Sequence, residues 1–401
     1  MNILIVSQYF YPENFRINDV AKALTERGHN VTVYTGLPNY GKSGFFEGYN
    51  LFGPYKEEVD GYKIVRVPLV PRGDNKGIRL ILNYISFAFF ASLLAPLLLR
   101  KKYDKILVNQ LSPVFVAFPA IVMKKIFRIP IYHWVADLWP ESLMATNTIQ
   151  SPKVIAYVGK IVKFIYKNCD LILITSKGFA KSIKSYGVAE EKIVYWPQWG
   201  EELFLQEEKD LTQVKDFPSE GFKICFAGNI GSAQSFEAIV QAAHLLKAQK
   251  EIHWIILGSG NMKDWVEKEV HSLGISDNFH LIGRRPIEMM PSYFSKMDAL
   301  LVSLKEDPLF DITVPGKVQA YLASAKPIIA SLNGEGADIV NEAKAGFSAK
   351  AGNAQELADA VMKLYQLTSE EREEMGRNGR NFFLKHFQRE KLLSKLENYM
   401  S

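Results

Sequence analysis

Cysteine is nearly missing from this chain of 401 residues. Cys169 and Cys225 are too few for a disulfide scaffold, and neither stands in a C-x-x-C pair that would suggest zinc. There is no D-x-D triplet and no cluster of His with Cys, so no metal and no other cofactor is expected. Short-period repeats and low-complexity tracts are also missing, which removes solenoids and fibres. Apolar residues make up 48% and charged residues 23%, the composition of a folded globular chain rather than a disordered or coiled-coil one. At roughly 100–200 residues per domain, this length implies two or three domains. No basic segment precedes the first apolar run, Asn2 to Ser7, and no small-residue cleavage site follows it. A signal peptide is therefore not expected, and a reducing, cytoplasmic location is.

Acidic residues are scarce in the first half. Residues 1–200 hold 25 Lys and Arg against 14 Asp and Glu, a net of +11, while the remainder carries a net of −6. A basic half joined to an acidic one implies an anionic partner for the first. One charge-free stretch, Leu80 to Leu99, is long enough to weigh as a membrane span. Asn83, Ser86, Ser92 and Pro96 interrupt it, and bases flank both ends: Arg72, Lys76 and Arg79 before, Arg100, Lys101 and Lys102 after. A spanning helix would put one basic cluster on the wrong side and would split strands that look like one sheet. A span, a buried core helix and a helix dipping into one leaflet all stand as readings. The flanking bases favour the last, at the inner face of the cell membrane. Lys and Arg are spread along the first half rather than clustered, so a membrane surface is favoured over nucleic acid.

Elsewhere short apolar runs alternate with helix-length amphipathic segments, the rhythm of a parallel sheet covered on both faces. Strands are expected at 2–7, 31–35, 62–68, 105–110, 129–136, 170–176 and 192–196. The rhythm breaks at the acidic, strandless stretch 201–220, read as a linker. It resumes with strands at 222–228, 253–258, 279–283, 298–304, 326–331 and 346–350. The expected organisation is a domain over 1–200, a linker over 201–220 and a domain over 221–384. The last helix, about 385–401, is a candidate to pack back on the first domain.

In doubly wound sheets, ligands lie beyond the carboxyl ends of the strands. Those positions here hold Gln8, Tyr9 and Glu13; His133 leading to Asp137, Trp139 and Glu141; Asn229 and Gly231; Arg284 and Arg285; and Lys305. A dinucleotide is disfavoured. The first strand is followed by no glycine, and Gly258-Ser259-Gly260 lacks its third glycine, since position 263 is Lys. The segment Asp311 to Tyr321 says more. Pro315 suits a helix start, which puts Lys317 in the first turn, where the helix dipole disfavours a cation. An anion at that helix end, typically phosphate, removes the conflict, and Gly316 lets it approach the backbone.

These motifs resemble the retaining, nucleotide-sugar-dependent glycosyltransferases of glycosyltransferase family 4. The marks are QYFYPENFR with RGHNVTVYT, HWVADLWPES, FAGNIG, LIGRRP, VPGKVQAYLASAKPIIAS and NGEGADIV, spread over nearly the whole chain. DLWPES and the QAYLA helix are most similar to bacterial O-antigen and capsule enzymes of the L-fucosamine transferase type, which act on lipid-linked acceptors at the cytoplasmic membrane face. The resemblance implies the GT-B fold: α/β, two doubly wound Rossmann-like domains facing a cleft. It implies a UDP-type nucleotide sugar bound by the second domain and a lipid-linked saccharide acceptor on the first. Family members place two glutamates eight positions apart near this helix; here Asp311 and Gln319 stand in, for the sugar and the ribose. The family's usual Arg and Lys after the first strand of the second domain are replaced by GNIGSAQ. The diphosphate would then fall to Lys317, Arg284 or Arg285 and the amides around Gly228, Asn229 and Gly231, with Glu335 also on the donor side.

The reaction implied is transfer with retention through an oxocarbenium-like transition state, the leaving diphosphate stabilised by Lys317 and the helix end. His133 would sit near the donor sugar, and Asp137 and Glu141 would bind or deprotonate the acceptor hydroxyl, with Glu13 a lesser candidate. No carboxylate pair at hydrolase spacing supports double displacement. Two other readings stand beside this one: a nucleotide-sugar epimerase of the same fold, and a two-domain solute-binding protein without chemistry.

Overall fold

The computed structural model describes residues 1–73, 77–100, 102–145, 151–206, 214 and 216–401. Lys76 and Lys101 of the basic flanks, and 207–213 and 215 of the expected linker, lie outside the described residues. The chain forms two compact units, Met1–Pro197 with Leu393–Ser401, and Gln198–Leu392. The division thus falls at 197/198, and the single turn Glu202–Leu205, inside the stretch read as a linker, buries Phe204 in the second unit against Phe294, ring centroids 5.7 Å apart.

The first unit carries eight strands: β1 (Asn2–Val6), β2 (Asn30–Gly36), β3 (Lys56–Val59), β4 (Tyr62–Val67), β5 (Lys105–Gln110), β6 (Ile131–Val135), β7 (Leu171–Ile174) and β8 (Ile193–Tyr195). Their spatial order is β3-β4-β2-β1-β5-β6-β7-β8, and every pairing is parallel except β3 with β4. Strand β3, Lys-Glu-Glu-Val, has no apolar pattern and escapes the sequence reading. It is a charged edge strand, turned back onto β4 by Asp60 and Gly61 at positive φ. The inner strands are apolar on both faces because helices cover both; Ile3, Leu4, Ile5 and Val6 are fully buried.

The long apolar stretch forms one helix, Gly77–Leu98. Asn83, Tyr84, Phe87, Ala91 and Ala95 recur at helical spacing and face the unit. Asn83 is fully buried; its Oδ1 accepts from Gln8 Nε2 (2.8 Å) and Tyr9 Oη (2.9 Å), and its Nδ2 donates to Val70 O (2.6 Å) and Asn39 Oδ1 (3.1 Å). Tyr34 Oη donates to Ala91 O (2.9 Å). The helix joins β4 to β5 of one sheet and lies on that sheet's helical layer, which argues against a membrane crossing. Its other face is exposed and apolar.

The second unit has six strands: β9 (Phe222–Asn229), β10 (Ile252–Ser259), β11 (Phe279–Leu281), β12 (Ala299–Ser303), β13 (Ile328–Ser331) and β14 (Gly346–Ala349). All are parallel, in the order β11-β10-β9-β12-β13-β14. Strand order reverses between β9 and β12, as it does between β1 and β5 in the first unit, and a crevice at the carboxyl ends follows from each reversal. Strand β9 pairs with β10 along eight residues but with β12 only at Ile224 and Cys225. Beyond Cys225 the two strands part. Gly258 lets β10 stay close on the other side, since a Cβ there would stand 1.8 Å from Gly228 O. The helix Ser369–His386 packs on this unit through Gly376, where a Cβ would stand 2.2 Å from Ala325 O. The last helix, Arg389–Met400, carries Glu397, which pairs with Arg27 and with His29 Nε2 (2.8 Å) of the first unit.

Asn83→Ala leaves the Gln8, Tyr9 and Asn39 polar groups facing each other without their common partner. It is expected to cost about 3 kcal/mol, within the usual range for stranded buried hydrogen-bonding groups, read as a drop in the midpoint of urea unfolding.

Candidate active site

In the second unit the parting of β9 and β12 frees the backbone of Ala227. Tyr321 fills the gap: its Oη accepts from Ala227 N (3.2 Å) and donates to Ala227 O (3.4 Å). One helical turn earlier on the same face stands Lys317. The helix begins at Gly316 with Pro315 as its extended N-cap, so Lys317 is its second residue. The Lys317 ammonium lies over the Phe226 ring, 3.6 Å from its centroid, and fills the space beside Gly228. A Cβ at Gly228 would stand 2.6 Å from Lys317 Cε and 2.7 Å from Nζ. Burial pushes the Lys317 pKa down to about 7. The aromatic face offsets part of that loss of hydration, but no carboxylate pairs with this ammonium among the described residues. Burial also raises the neighbouring Cys225 thiol far above its ordinary value, which keeps it uncharged. Gly316 is exposed and has nothing within 4 Å of where a Cβ would be, so the helix end is open.

Close packing of backbone brings the other donor-side residues to this end of the sheet. Gly334 (φ +65°) lies where a Cβ would stand 1.8 Å from Asp311 O, and Gly336 lies 3.2 Å by the same measure from Pro315 Cδ. The start of the helix Glu335–Glu342 is therefore held beside Asp311 and Pro315. Asn229 is exposed, with Nδ2 3.5 Å from Gln234 Oε1, and Gly231 leaves room for it. Gln319 takes a different place from the one read for it. It is buried, and its amide nitrogen donates to Pro315 O (3.0 Å) and Gly316 O (3.2 Å), bracing the helix's own first turn. Arg285 is engaged by Tyr293 Oη (3.1 Å) and Asp216 Oδ2 (2.9 Å), whereas Arg284 is exposed.

In the first unit a narrow crevice opens between β1 and β5, lined by Ser7, Gln8, Asn109 and Ser112. Asp137 stands at its edge. Its carboxylate accepts from Trp139 Nε1 (3.1 Å), and the nearby Ser142 and Ser112 side chains and Leu138 amide also favour its charged form, yet burial outweighs them and raises its pKa to about 6. Gln110 Nε2 donates to Asp137 O (2.6 Å), and Gln110 Oε1 meets His133 Nε2 at 2.5 Å. His133 is fully enclosed, and burial lowers its pKa to about 3, so it is a neutral imidazole. Its Nδ1, the Tyr166 hydroxyl and Glu141 Oε2 are buried with no hydrogen-bond partner among the described residues. Glu141 Oε1 accepts from Ser182. Each stranded polar atom costs on the order of 1–3 kcal/mol, so this cluster is built at the expense of stability. Glu13 is turned inward instead: its carboxylate takes the amides of Asn39 and Tyr40 (2.6 Å each) and Phe10 (2.9 Å), stapling two loops together.

Sequence reasoning missed Tyr321, Phe226, Gln110 and Tyr166. Gln110 ends a strand and obeys the same carboxyl-end rule as its neighbours. Tyr321 and Tyr166 lie on buried helix faces, where a tyrosine is indistinguishable from core in the sequence.

Each of the two doubly wound sheets thus has its switch point at the carboxyl ends of the strands, and the second also has a desolvated cation at an open helix end. Residues 15–199 match the family model Glycosyltransferase Family 4, and residues 207–382 match Glycosyl transferases group 1. The chain is a group 1/family 4 glycosyltransferase of the GT-B fold, one family model falling on each unit. It is 24% identical, over 80% of its length and 81% of the relative's, to WcaI of Escherichia coli K12, a glycosyl transferase assigned by inference to colanic acid biosynthesis. Among solved structures it resembles Anabaena HepE in complex with UDP (TM-score 0.70, 14% identity, 100% and 99% of the two chains). It also resembles WaaG, a glycosyltransferase involved in lipopolysaccharide biosynthesis (TM-score 0.69, 12% identity, 100% of both chains).

Asp137 is expected to protonate near pH 6 and His133 to stay neutral from pH 5 to 8. Trp139→Phe removes a donor that favours the charged carboxylate, so it should move the Asp137 pKa further up. Carboxyl ¹³C and imidazole ¹⁵N NMR titrations check all three.

Proposed function

We propose that this chain transfers a sugar, with retention, from a UDP-type nucleotide sugar to a lipid-linked saccharide during assembly of a bacterial surface polysaccharide. The observation that carries the reading is Lys317: a cation without a counter-charge among the described residues, desolvated in the first turn of an open helix at the β9–β12 switch point. A diphosphate supplies the missing charge, and the helix dipole then favours what it opposed. The polysaccharide role is supported by WcaI and WaaG, and the uridine by the UDP held in HepE. DLWPES and the QAYLA helix, with their likeness to L-fucosamine transferases, make an N-acetylated amino sugar such as L-FucNAc the donor sugar of this reading.

In this mechanism the bond from the anomeric carbon to the diphosphate breaks with little help from a nucleophile. Lys317 and the amides of the helix end hold the charge that gathers on the leaving group. Asp311 and Glu335, carboxylates on the same side, orient sugar hydroxyls. Asp137, ionised above pH 6, takes or hydrogen-bonds the acceptor hydroxyl, with Glu141 the second carboxylate on that side. Retention requires the acceptor to attack from the face that the diphosphate leaves. The work is done on the cytoplasmic face of the membrane. The basic first unit is drawn there by roughly 1 kcal/mol per Lys or Arg close to anionic lipid.

Lys317→Ala should weaken UDP binding by about a hundredfold, the scale of a lost charge-assisted contact, with the protein still folded; titration calorimetry measures it. Unchanged affinity would place the diphosphate elsewhere. The Lys317 pKa is depressed in the empty site, and an anion favours the protonated form. Above pH 7 UDP binding should therefore take up a proton and weaken as pH rises. Calorimetry at pH 8 in buffers of different ionisation enthalpy reads the proton directly.

A further inference from the structure

The exposed side of the helix Gly77–Leu98 does not end in a convex surface. With the turn Val114–Ala117 and the helices Phe118–Phe127 and Pro152–Asn168 it walls an open groove of about 640 Å³, the size of a cleft for a medium-sized organic ligand. Ile85, Phe89, Leu93, Phe115, Phe118 and Tyr157 line it. Phe89, Leu93 and Tyr157 are 60%, 58% and 66% exposed, gathered in one place rather than scattered over the surface.

Two further observations say what occupies it. None of these three helices carries an Asp or Glu, whereas they hold Arg79, Lys124, Lys125, Lys153, Lys160, Lys163 and Lys167. Lys153, Tyr157, Lys160 and Phe164 follow one another at spacings of three and four, so the cations border the apolar face, and Lys125 Nζ lies 5.5 Å from the Phe164 ring. An acidic peptide would satisfy the charge but not the depth of hydrocarbon, and an apolar protein partner would not satisfy the charge. Then there is continuity with the acceptor side. Phe118 stacks near Phe115 (6.2 Å), Phe115 meets Trp139 edge-on (5.7 Å), and Trp139 donates to Asp137. One end of the groove is thus two rings from the carboxylate at the β1–β5 crevice.

We infer that this groove holds the hydrocarbon chain of the acceptor lipid, a prenyl phosphate type of molecule, and so delivers its saccharide head toward Asp137. The inference rests on the lipid-linked acceptor proposed above and adds to it the place where the lipid is read. It differs from plain attachment to a bilayer, in which the apolar face would sink among many lipid tails and the groove would select none.

Farnesyl phosphate below its micelle concentration is the probe, inorganic phosphate the control, and the full chain the protein. Calorimetry should show binding of farnesyl phosphate and at least tenfold weaker binding of phosphate. Ala88→Phe fills the groove from its wall without removing apolar or basic surface. It should weaken farnesyl phosphate at least tenfold while leaving both UDP binding and sedimentation with phosphatidylglycerol vesicles as in the parent. Ser92→Phe is the second filling variant; the buried Ser92 Oγ has no hydrogen-bond partner among the described residues, so that exchange breaks no bond. UDP binding reports that either variant is folded. The groove is refuted if farnesyl phosphate fails to bind the parent or binds both filled variants equally well. A filled variant that transfers sugar to a prenyl-linked acceptor as fast as the parent also refutes it, and leaves the transferase reading standing. Absence of transfer to any prenyl-linked acceptor, with farnesyl phosphate still bound in the groove, sinks the acceptor reading and with it the assignment of the chain.

Discussion

A single ammonium sets the terms for the second unit. Lys317 is pressed against an aromatic ring and a glycine, in the turn of a helix where amide dipoles repel it, with water largely removed. Nothing about folding rewards that arrangement. It depends on three prior conditions: β9 and β12 must part after Cys225, Tyr321 must take up the backbone that the parting exposes, and Gly228 must leave a hollow. Each is a backbone property, so the charge is positioned by the sheet rather than by a flexible side-chain network. That is the form of preorganisation that electrostatic catalysis demands.

The first unit solves a complementary problem. At its crevice stands a carboxyl held near pH 6, and buried behind it lie polar atoms without partners among the described residues, around a neutral imidazole. The two units thus differ in charge at their switch points: a desolvated cation on one sheet, a carboxyl and uncharged polar groups on the other.

Most of the fold was legible because parallel sheets write themselves as apolar runs. Each short run read as a strand became one within a few residues, while the longest run became a helix and the division between units fell at 197/198, just before the stretch read as a linker. What escaped was β3, whose Lys-Glu-Glu-Val carries no burial signal because an edge strand needs none. For the site, the carboxyl-end rule pointed to Asp137 and Asn229, since polar residues after an apolar strand stand out, whereas Lys317 was singled out by its place in the first turn of a helix. Glu13 and Gln319 turn inward, both of them polar residues consumed by backbone amides and carbonyls. A polar side chain in the right loop does not reveal which way it turns; only the loop's own unmet hydrogen bonds decide that. The charge asymmetry spoke of an anionic partner, but the groove needed three helices from different parts of the chain, a juxtaposition no local pattern encodes.

The closing helix has a consequence for how the molecule comes into being. Leu393, Leu396 and Met400 are fully buried, and residues 393–401 belong to the unit that begins at Met1. Synthesis reaches this piece only after the entire second unit. The amino-terminal unit therefore waits, incomplete and with apolar surface open, while the later one is made. The later unit behaves as a folded insert within the other, whose completion has to wait for it.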